Sequence, residues 1–381
     1  MKLTDICDFQ GGSQPPKNEW SFEKKDDYVR MLQIRDFTQA DRVTPEYVKI
    51  SNRLRYCDED DILIGRYGAS VGKILTGKSG AYNVAIMKTI PDTSKVRKEF
   101  MKYYFSASLF QNYILNLGGR AAQAGFSKED LERLDFNPID FDSQDQAIKE
   151  FHSLEKSIIN KNKELHSLDE LIKSRFIEMF DNENYPIKRI DEVAVLKSGT
   201  TFDKKYELTQ GDMLYCKVSD MNLSGNEKYM TTSKTFVSFE IGKKPSIPAN
   251  SVIFPKRGGA IGTNKKRITI VDTCVDLNTM GVTPTKYLNI QYLYQFFQNF
   301  DLLSICDGSA IPQLNNKNIG PLEITVPPIE LQKEFASFVE LIDKSKFVNH
   351  SKYFLCEIFT FTSSTIAYSS VVSILACPSK C

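Results

Sequence analysis

Few side chains in this chain could carry out acid–base or metal chemistry. Its 381 residues include three histidines, His152, His166 and His350. None of them lies in the two long stretches of mixed polar and apolar sequence, residues 1–141 and 182–326. Histidine is the side chain best suited to proton transfer near neutral pH. Histidine-based catalysis within those two stretches is therefore excluded.

The sequence motifs of common enzymes are also missing. Residues 68–73, GASVGK, come near a phosphate-binding loop, but the spacing is one residue short and Ile74 stands where a magnesium-binding Ser or Thr belongs. No G-x-G-x-x-G follows a strand pattern, and neither G-x-S-x-G nor an Asp/Asn-Pro-Pro-Tyr/Phe motif for base methylation occurs. The eight cysteines form no Cys-x-x-Cys pair. We expect no catalytic residues, no metal site and no bound cofactor.

The chain does offer cations beside glycines, in two matched loops. Residues 61–73 read DILIGRYGASVGK and residues 251–263 read SVIFPKRGGAIGT, so that Gly68 matches Gly258. Glycine lets backbone N–H groups approach a phosphate, while Arg and Lys neutralise it or read guanine in the major groove. These loops and the residues after them supply the candidate nucleic-acid contacts Arg66, Tyr67, Lys73, Lys256, Arg257, Lys265, Lys266 and Arg267.

Two further pairs of matched segments carry polar side chains of the kinds that read base edges. A glycine-rich turn with Arg120 and Gln123 corresponds to a later turn with Gln313 and Asn315. Arg35 lies in LQIRDF, which corresponds to YCKVSDM with Lys217. Taken singly, each polar residue has two open roles, contact with a ligand or support of a turn. Turn capping is the structural role open to Asp36, Asp220, Asn83 and Asn278.

The matched loops belong to a repeat that covers most of the chain. Residues 2–12 correspond to residues 189–199, and residues 125–144 correspond to residues 313–332. Five blocks recur in the same order, at offsets between 184 and 195 residues. The shared order argues against chance, so we predict two α+β domains of one fold, each long enough to bury its own core.

Long helices are predicted after each copy. Residues 143–180 contain no proline or glycine, repeat apolar residues every seven positions, and would form a helix about 57 Å long. A second helix starts after the prolines at residues 327–328 and could pair with the first in antiparallel fashion. The alternative is an amphipathic helix lying on its own domain. The predicted seam residues are Phe151, Leu154, Ile158, Leu165, Leu168, Ile172, Met179, Phe335, Val339 and Ile342.

The heptad pattern stops near Lys346. Residues 347–381 hold seven serines and only three fully charged side chains, so we favour a frameshifted end in which an out-of-frame tail replaces a charged helix. A membrane anchor and an ordinary buried element are the alternatives. Reading the gene in its other two frames past codon 346 tests the frameshift.

The net charge, the first residues and the cysteines indicate what kind of binding and which cellular compartment to expect. The formal net charge of +1 gives no global attraction to nucleic acid, so any such binding depends on local patches. The opening residues lack the apolar core of a signal peptide, and scattered free thiols fit a reducing cytoplasm.

In its order and spacing of blocks, the chain resembles a specificity subunit of a type I restriction–modification system. The resemblance covers residues 1 to about 346 and rests on the two divergent copies, each ending in NPIDFDSQ or VPPIELQ before a helix. It implies two target-recognition domains, each reading half of a bipartite double-stranded DNA sequence, separated and joined by long antiparallel coiled-coil helices. The chain departs from the family in its tail.

The resemblance also implies partners and boundaries. Two modification subunits would bind S-adenosylmethionine and methylate adenine, while restriction subunits would use ATP and magnesium. The specificity subunit itself would be non-catalytic. The predicted segments are domain 1 at 1–141, the central spacer helix at 142–181, domain 2 at 182–326, the start of the distal spacer helix at 327–346, and the altered tail at 347–381.

Two other hypotheses remain open from sequence. One is an assembly protein that uses its coiled coil and duplicated domains without DNA. The other is a catalytic subunit with unrecognised chemistry, which the histidine count and the missing motifs oppose.

Overall fold

The computed structural model describes residues 1–39, 42–118, 125–181, 184–306 and 311–363. The chain forms two compact units, one built on Met1–Lys161 and the other on Asn162–Tyr353. Each unit contains one copy of the sequence repeat. Among the described residues, no helix combines the length and the apolar character needed to cross a membrane.

The strands of the first unit form two sheets. They are β1 (Cys7–Gly11), β2 (Trp20–Ser21), β3 (Tyr28–Leu32), β4 (Tyr47–Lys49), β5 (Tyr56–Cys57), β6 (Leu63–Gly65), β7 (Ile74–Leu75), β8 (Gly80–Tyr82) and β9 (Ile86–Pro91). One sheet has the order β1-β9-β6-β7 with antiparallel neighbours throughout. The other has the order β2-β4-β3-β8-β5, in which β3 and β8 are parallel.

The described α-helices that begin in this unit are α1 (Ile34–Thr38), α2 (Lys98–Ser106), α3 (Ser108–Gly118), α4 (Lys128–Leu131) and α5 (Phe141–Phe180), and α5 continues into the second unit from Asn162. Phe105 of α2 and Phe110 of α3 meet edge to face at 4.9 Å, and Phe105 also contacts Phe9 of β1 at 6.1 Å. Ala147, near the start of α5, is buried in the same cluster. This end of α5 therefore lies on its own domain.

The second unit repeats this plan. Its strands are β10 (Ile187–Arg189), β11 (Ala194–Ser198), β12 (Met213–Cys216), β13 (Tyr229–Met230), β14 (Phe236–Val237), β15 (Val252–Pro255), β16 (Arg267–Thr269), β17 (Cys274–Val275), β18 (Thr279–Pro284) and β19 (Glu323–Thr325). Its helices are α6 (Ile190–Val193), α7 (Phe239–Gly242), α8 (Ile290–Gln298), α9 (Asn316–Ile319) and α10 (Ile329–Ser363). The sheets have the orders β11-β18-β15-β16-β13, β14-β12-β17 and β10-β19.

The two units share topology as well as sequence blocks. The order β1-β9-β6-β7 recurs as β11-β18-β15-β16, and the parallel pair β3–β8 recurs as β12–β17. The correspondence extends to a close backbone approach at Gly12 and Gly199. A Cβ added there would lie 2.0 Å from the Asn83 carbonyl oxygen in one unit and 1.9 Å from that of Asp276 in the other. The predicted pair of related α+β domains is confirmed.

Within the second unit, the C-terminal half of α5 pairs with the first turns of α10. Arg175 forms an ion pair with Glu334 at 3.5 Å, and Asp169 forms one with Lys346. Residue numbers rise along one helix as they fall along the other, so the pair is antiparallel as predicted. Phe335 is fully buried against this face of α5.

The predicted seam residues differ in burial. Ile172, Phe335 and Val339 are at most 6% exposed, and Met179 and Ile342 pack against the same core. Phe151 stacks on Tyr103 of α2 at 4.5 Å, and Leu165 and Leu168 are half-buried. Leu154 and Ile158, however, are 36% and 44% exposed in this chain. The predicted buried seam is therefore interrupted at Leu154 and Ile158.

Each unit buries two free thiols. Cys7 and Cys57 lie in the first unit and Cys216 and Cys274 in the second, all of them buried. Burial raises the pKa of Cys7 and Cys216 to about 12 and the pKa of Cys57 and Cys274 to about 11. These thiols are protonated and inert near neutral pH because the thiolate is the reactive form.

Candidate nucleic-acid interface

The first basic turn, defined as residues 66–73, joins β6 to β7. Its backbone is fixed where β6 ends, since the Arg66 N–H donates to the Ala85 carbonyl at 2.8 Å. Gly68 then has φ +62°, a conformation that L side chains rarely adopt, and starts a short 3₁₀ turn, Gly68–Ser70. The described atoms leave at least 4 Å of open space where a Gly68 Cβ would point.

The second basic turn, defined as residues 256–267, has the same geometry after β15. The Lys256 N–H donates to the Asn278 carbonyl at 2.7 Å, and Gly258 has φ +66° at the start of the 3₁₀ turn Gly258–Thr263. The space beside Gly258 is equally open among the described atoms. Both turns thus present an accessible backbone next to cationic side chains.

In each unit the later polar turn lies directly beside the basic turn. Tyr67 forms an isolated antiparallel bridge with Gly125, and Arg257 forms the equivalent bridge with Gln313. In the second unit, Gly258 N–H also donates to the Pro312 carbonyl at 2.8 Å. Two segments that are far apart in sequence therefore form one surface in each copy. Arg120 and Gln123, predicted on the first of these later turns, lie outside the described residues.

Several predicted contacts are exposed on these surfaces. Tyr67 is 40% exposed with the Arg66 guanidinium 5.0 Å from its ring centre, and Lys73 and Arg257 are exposed. Lys265 is half-buried and donates to the Asn222 side chain. These residues combine positive charge with one aromatic face, which suits a nucleic-acid backbone and its bases.

Lys256 is held at the root of the second basic turn. Its ammonium donates to the Ser198 hydroxyl at 2.8 Å. Burial, and then the neighbouring charge of Arg257, lowers the pKa of Lys256. The carboxylate of Asp276 acts in the opposite direction and raises the pKa of Lys256.

The structure corrects the prediction for Lys266, whereas DNA contact by Arg267 stays a prediction. Lys266 is 1% exposed, and its ammonium points inward to the Asn264 side-chain oxygen at 2.8 Å and the Phe300 carbonyl at 2.7 Å. Arg267 donates to the carbonyls of Lys266 and Met221 at 2.8 and 3.0 Å, and burial lowers its pKa. Lys266 cannot touch a surface ligand in this arrangement, and the Arg267 guanidinium is held by backbone carbonyls.

Other predicted side chains are engaged by neighbours. Arg35 pairs with Glu46, and Lys217 pairs with Glu207 at 2.7 Å. Asn315 is the N-cap of α9, where its side-chain oxygen accepts from Lys317 N–H at 2.8 Å. DNA contact by these residues stays a prediction, since each would have to exchange or share its present partner.

The matched acidic residues of the repeat are turn caps. Asp36 and Asp220 are 3% and 1% exposed, and each carboxylate accepts a backbone N–H three residues earlier, from Gln33 and Lys217. Asn83 likewise accepts from Ala85 N–H at 3.2 Å. For these positions the structural role is the one observed.

Sequence reasoning missed one residue at the first basic turn and one matched pair of exposed lysines. Gln111 of α3 donates to the Gly72 carbonyl, and no local pattern announces that contact. Lys17 and Lys204 each begin a 3₁₀ turn five residues after the closely packed Gly12 and Gly199, and both are exposed. The equal spacing from a matched glycine is a signal that could have identified this lysine pair.

Comparison with known families identifies the two domains. Residues 1–169 and 182–352 both match the family described as the type I restriction modification DNA specificity domain. The matches cover most of the chain, once per copy, and the chain belongs to this family. It is the specificity component of such a system and recognises a DNA target. The hypothesis of a DNA-independent assembly protein gains no support.

Three solved structures are similar to this chain to different degrees. A chain from a structure of complex assembly and conformational transition in a type I R-M system aligns over 98% of this chain and 96% of its own length, with a TM-score of 0.57 at 10% identity. The S subunit from M. genitalium aligns over 100% and 96% at a TM-score of 0.49 and 13% identity. The HsdS subunit from Thermoanaerobacter tengcongensis aligns over 91% and 89% at 0.38 and 12%. The first of these likenesses shows the shared fold.

Proposed function

We propose that each domain reads one half of a bipartite double-stranded DNA target with its paired turns. The observation that carries the proposal is the bridge found twice, Tyr67 to Gly125 and Arg257 to Gln313. One surface geometry recurs with different side chains on it, so the two half-sites should differ in sequence. Exposed Lys73 and Arg257 would contact phosphates or guanines, and Tyr67 would contact sugar or base.

The chain would act as a non-catalytic adaptor in the cytoplasm. Two modification subunits would bring S-adenosylmethionine and methylate adenine, and restriction subunits would bring ATP and magnesium for translocation and cleavage. The antiparallel contacts Arg175–Glu334 and Asp169–Lys346 support a spacer role for α5 and α10. This chain would bind none of these cofactors itself.

The segment boundaries are part of this proposal. Domain 1 would span 1–141 and domain 2 would span 182–326, with spacer helices at 142–181 and from 327. We also propose that residues 347–381 derive from a frameshift, because charge and heptads are lost together after Lys346.

The first test is co-expression with the neighbouring modification subunit, followed by long-read mapping of genomic methylation. A methylated bipartite motif that disappears when this chain is omitted is the expected result. Repeating the mapping with the tail restored in the alternative frame separates an inactive subunit from a wrong assignment. A motif that persists without the chain, or none with either tail, would refute the proposal.

Variants then assign each half-site. The double variant Lys73→Ala with Tyr67→Ala should weaken recognition of one half, and Arg257→Ala that of the other. Lys128→Ala is a matched control because Lys128 is an exposed lysine of the first domain that pairs with Asp8. Equal effects of all three variants on both halves would contradict a modular reading.

A further inference from the structure

In each domain a side chain ties the end of the basic turn to a packed helical segment. The two ties use different residue types at different places in the chain. They therefore cannot be found by aligning the copies.

In the first domain the tie is Gln111 of α3. Its amide nitrogen donates to the Gly72 carbonyl at 2.8 Å and to the Phe105 carbonyl, near the end of α2, at 2.6 Å. Gly72 is the last residue but one of the first basic turn, and 39 residues separate it from Gln111. A single neutral amide thus joins the turn to the helical layer.

In the second domain the tie is Lys266, at the end of the second basic turn. Its ammonium donates to the Asn264 side-chain oxygen and to the Phe300 carbonyl, just after α8. The same Asn264 oxygen accepts from Leu302 N–H at 3.0 Å. Asn264 has φ 51° and ends the 3₁₀ turn Gly258–Thr263. The left-handed end of the turn is therefore joined twice to the segment that follows α8.

The chemistry of Lys266 argues for more than stability. The side chain is 1% exposed, and none of the ion pairs found among the described residues includes it. Burial of an ammonium without a bonded carboxylate is costly, and an apolar side chain of similar length would fill the space at lower cost. Methionine is such a side chain, but it could not donate hydrogen bonds to the Asn264 side-chain oxygen and the Phe300 carbonyl.

We propose that Gln111 and Lys266 are positioning residues, each of which holds the basic turn of its own domain in the conformation that reads DNA. This inference rests on the proposed function of the turns. Gln111 acts through the Gly72 carbonyl and Lys266 through the Asn264 side chain, and neither residue itself touches DNA.

The experiment uses the full chain bound to its modification subunit and duplexes carrying the mapped target. Three duplexes are compared: intact, scrambled in the first half-site, and scrambled in the second. Gln111→Leu should weaken binding to the intact duplex about tenfold or more, and scrambling the first half should then cost little further. Scrambling the second half should still cost its full amount. For Lys266→Met, scrambling the second half should cost little further, and scrambling the first half should still cost its full amount.

Controls separate positioning from general damage. Lys197→Met is matched to Lys266→Met, since Lys197 also donates to two backbone carbonyls of the second domain, those of Lys244 and Ser246. It should leave both discriminations intact. If Lys266→Met does not fold, Asn264→Gly removes the shared acceptor while it tolerates the positive φ and supplies the same test.

Two results would overturn the positioning role. One is wild-type affinity and discrimination in both variants, and the other is an equal loss at both half-sites. If the wild-type complex shows no half-site discrimination, it is the proposed function that fails, and that result is visible before any variant is measured.

Discussion

The side-chain oxygen of Gln332 accepts a hydrogen bond from the backbone N–H of Asn289 at 2.8 Å. Asn289 is the N-cap of α8, and Gln332 lies in the first turn of α10. The Gln332 amide also donates to the carbonyls of Tyr287 and Pro327. In the first domain, Gln144 accepts from Arg97 N–H, at the N-cap of α2, at 2.7 Å. One buried glutamine thus fastens each long helix to its domain.

Replacement of either glutamine by leucine should destabilise its own domain by about 2–4 kcal/mol, because several buried backbone groups lose their partner. Urea unfolding measures the loss, and Trp20, the only tryptophan, reports on the first domain. Trp20 fluorescence should register Gln144→Leu and not Gln332→Leu. Gln146→Leu is the control, since the exposed Gln146 amide bonds only with Glu150 in the described structure. A comparable loss in that control would contradict the explanation.

Substitutions in helices α5 and α10 should destabilise the protein at buried positions and have little effect on its stability at exposed positions. Phe335→Ala removes a fully buried ring that contacts Phe176 and Phe180, so a loss of about 3–5 kcal/mol is expected. Leu154→Ala changes a side chain that is 36% exposed and should cost well under about 1 kcal/mol in the isolated chain. Chemical denaturation followed by circular dichroism measures both. Equal losses of stability in the two variants would show that Leu154 is buried in solution, which would contradict this prediction.

DNA binding should weaken steeply as salt concentration rises, because neutralised phosphates release counterions. Arg257→Ala should lower the slope of log affinity against log salt by about one if Arg257 contacts a phosphate. Titrations of the complex at several salt concentrations provide the slopes. An unchanged slope for Arg257→Ala would show that Arg257 contacts no phosphate.

Exchange of residues 1–140 for the first domain of another family member should change one half of the methylated motif. The physical reason is that each basic turn is bridged to a later turn of its own domain, Tyr67 to Gly125 and Arg257 to Gln313. Methylation mapping of the chimaera gives the new motif. A change in both halves would show that recognition is shared between domains.

The buried ammonium of Lys266 should make stability depend on pH. Burial lowers its pKa to about 8, whereas an unfolded lysine has a pKa of about 10.4. Below pH 8 both states hold the proton, and between the two pKa values only the unfolded state does. Stability of the wild type should therefore rise across this window relative to Lys266→Met, by up to about 3 kcal/mol. Urea unfolding at pH 7 and at pH 10 measures the change, and a constant difference between the proteins would argue against it.

The sequence predicted the features that depend on backbone pattern. The matched glycines Gly68 and Gly258 have φ +62° and +66°, and Gln144 and Gln332, aligned from sequence alone, play one structural part. Such positions can be predicted from sequence because a positive φ or a buried amide strongly restricts the residue type.

Side-chain direction was harder to predict. The run Lys265–Arg267 looks uniformly basic, yet Lys266 is buried because it lies immediately before β16, where neighbouring side chains point to opposite faces. A heptad pattern likewise identifies an apolar face without naming what covers it. That is why Ile172 is buried as predicted while Ile158 is 44% exposed. Gln111 was missed because its contact with Gly72 is purely tertiary.

The concealed thiols have a practical consequence. Cys7 and Cys57 are buried in the first domain, and Cys216 and Cys274 are buried in the second. An alkylating reagent can reach each pair only when its domain opens, and every label lies in a separate stretch of sequence. Peptide mass spectrometry after timed exposure would thus record the opening rate of each DNA-reading domain independently, with no engineered probe and with the partner subunits in place.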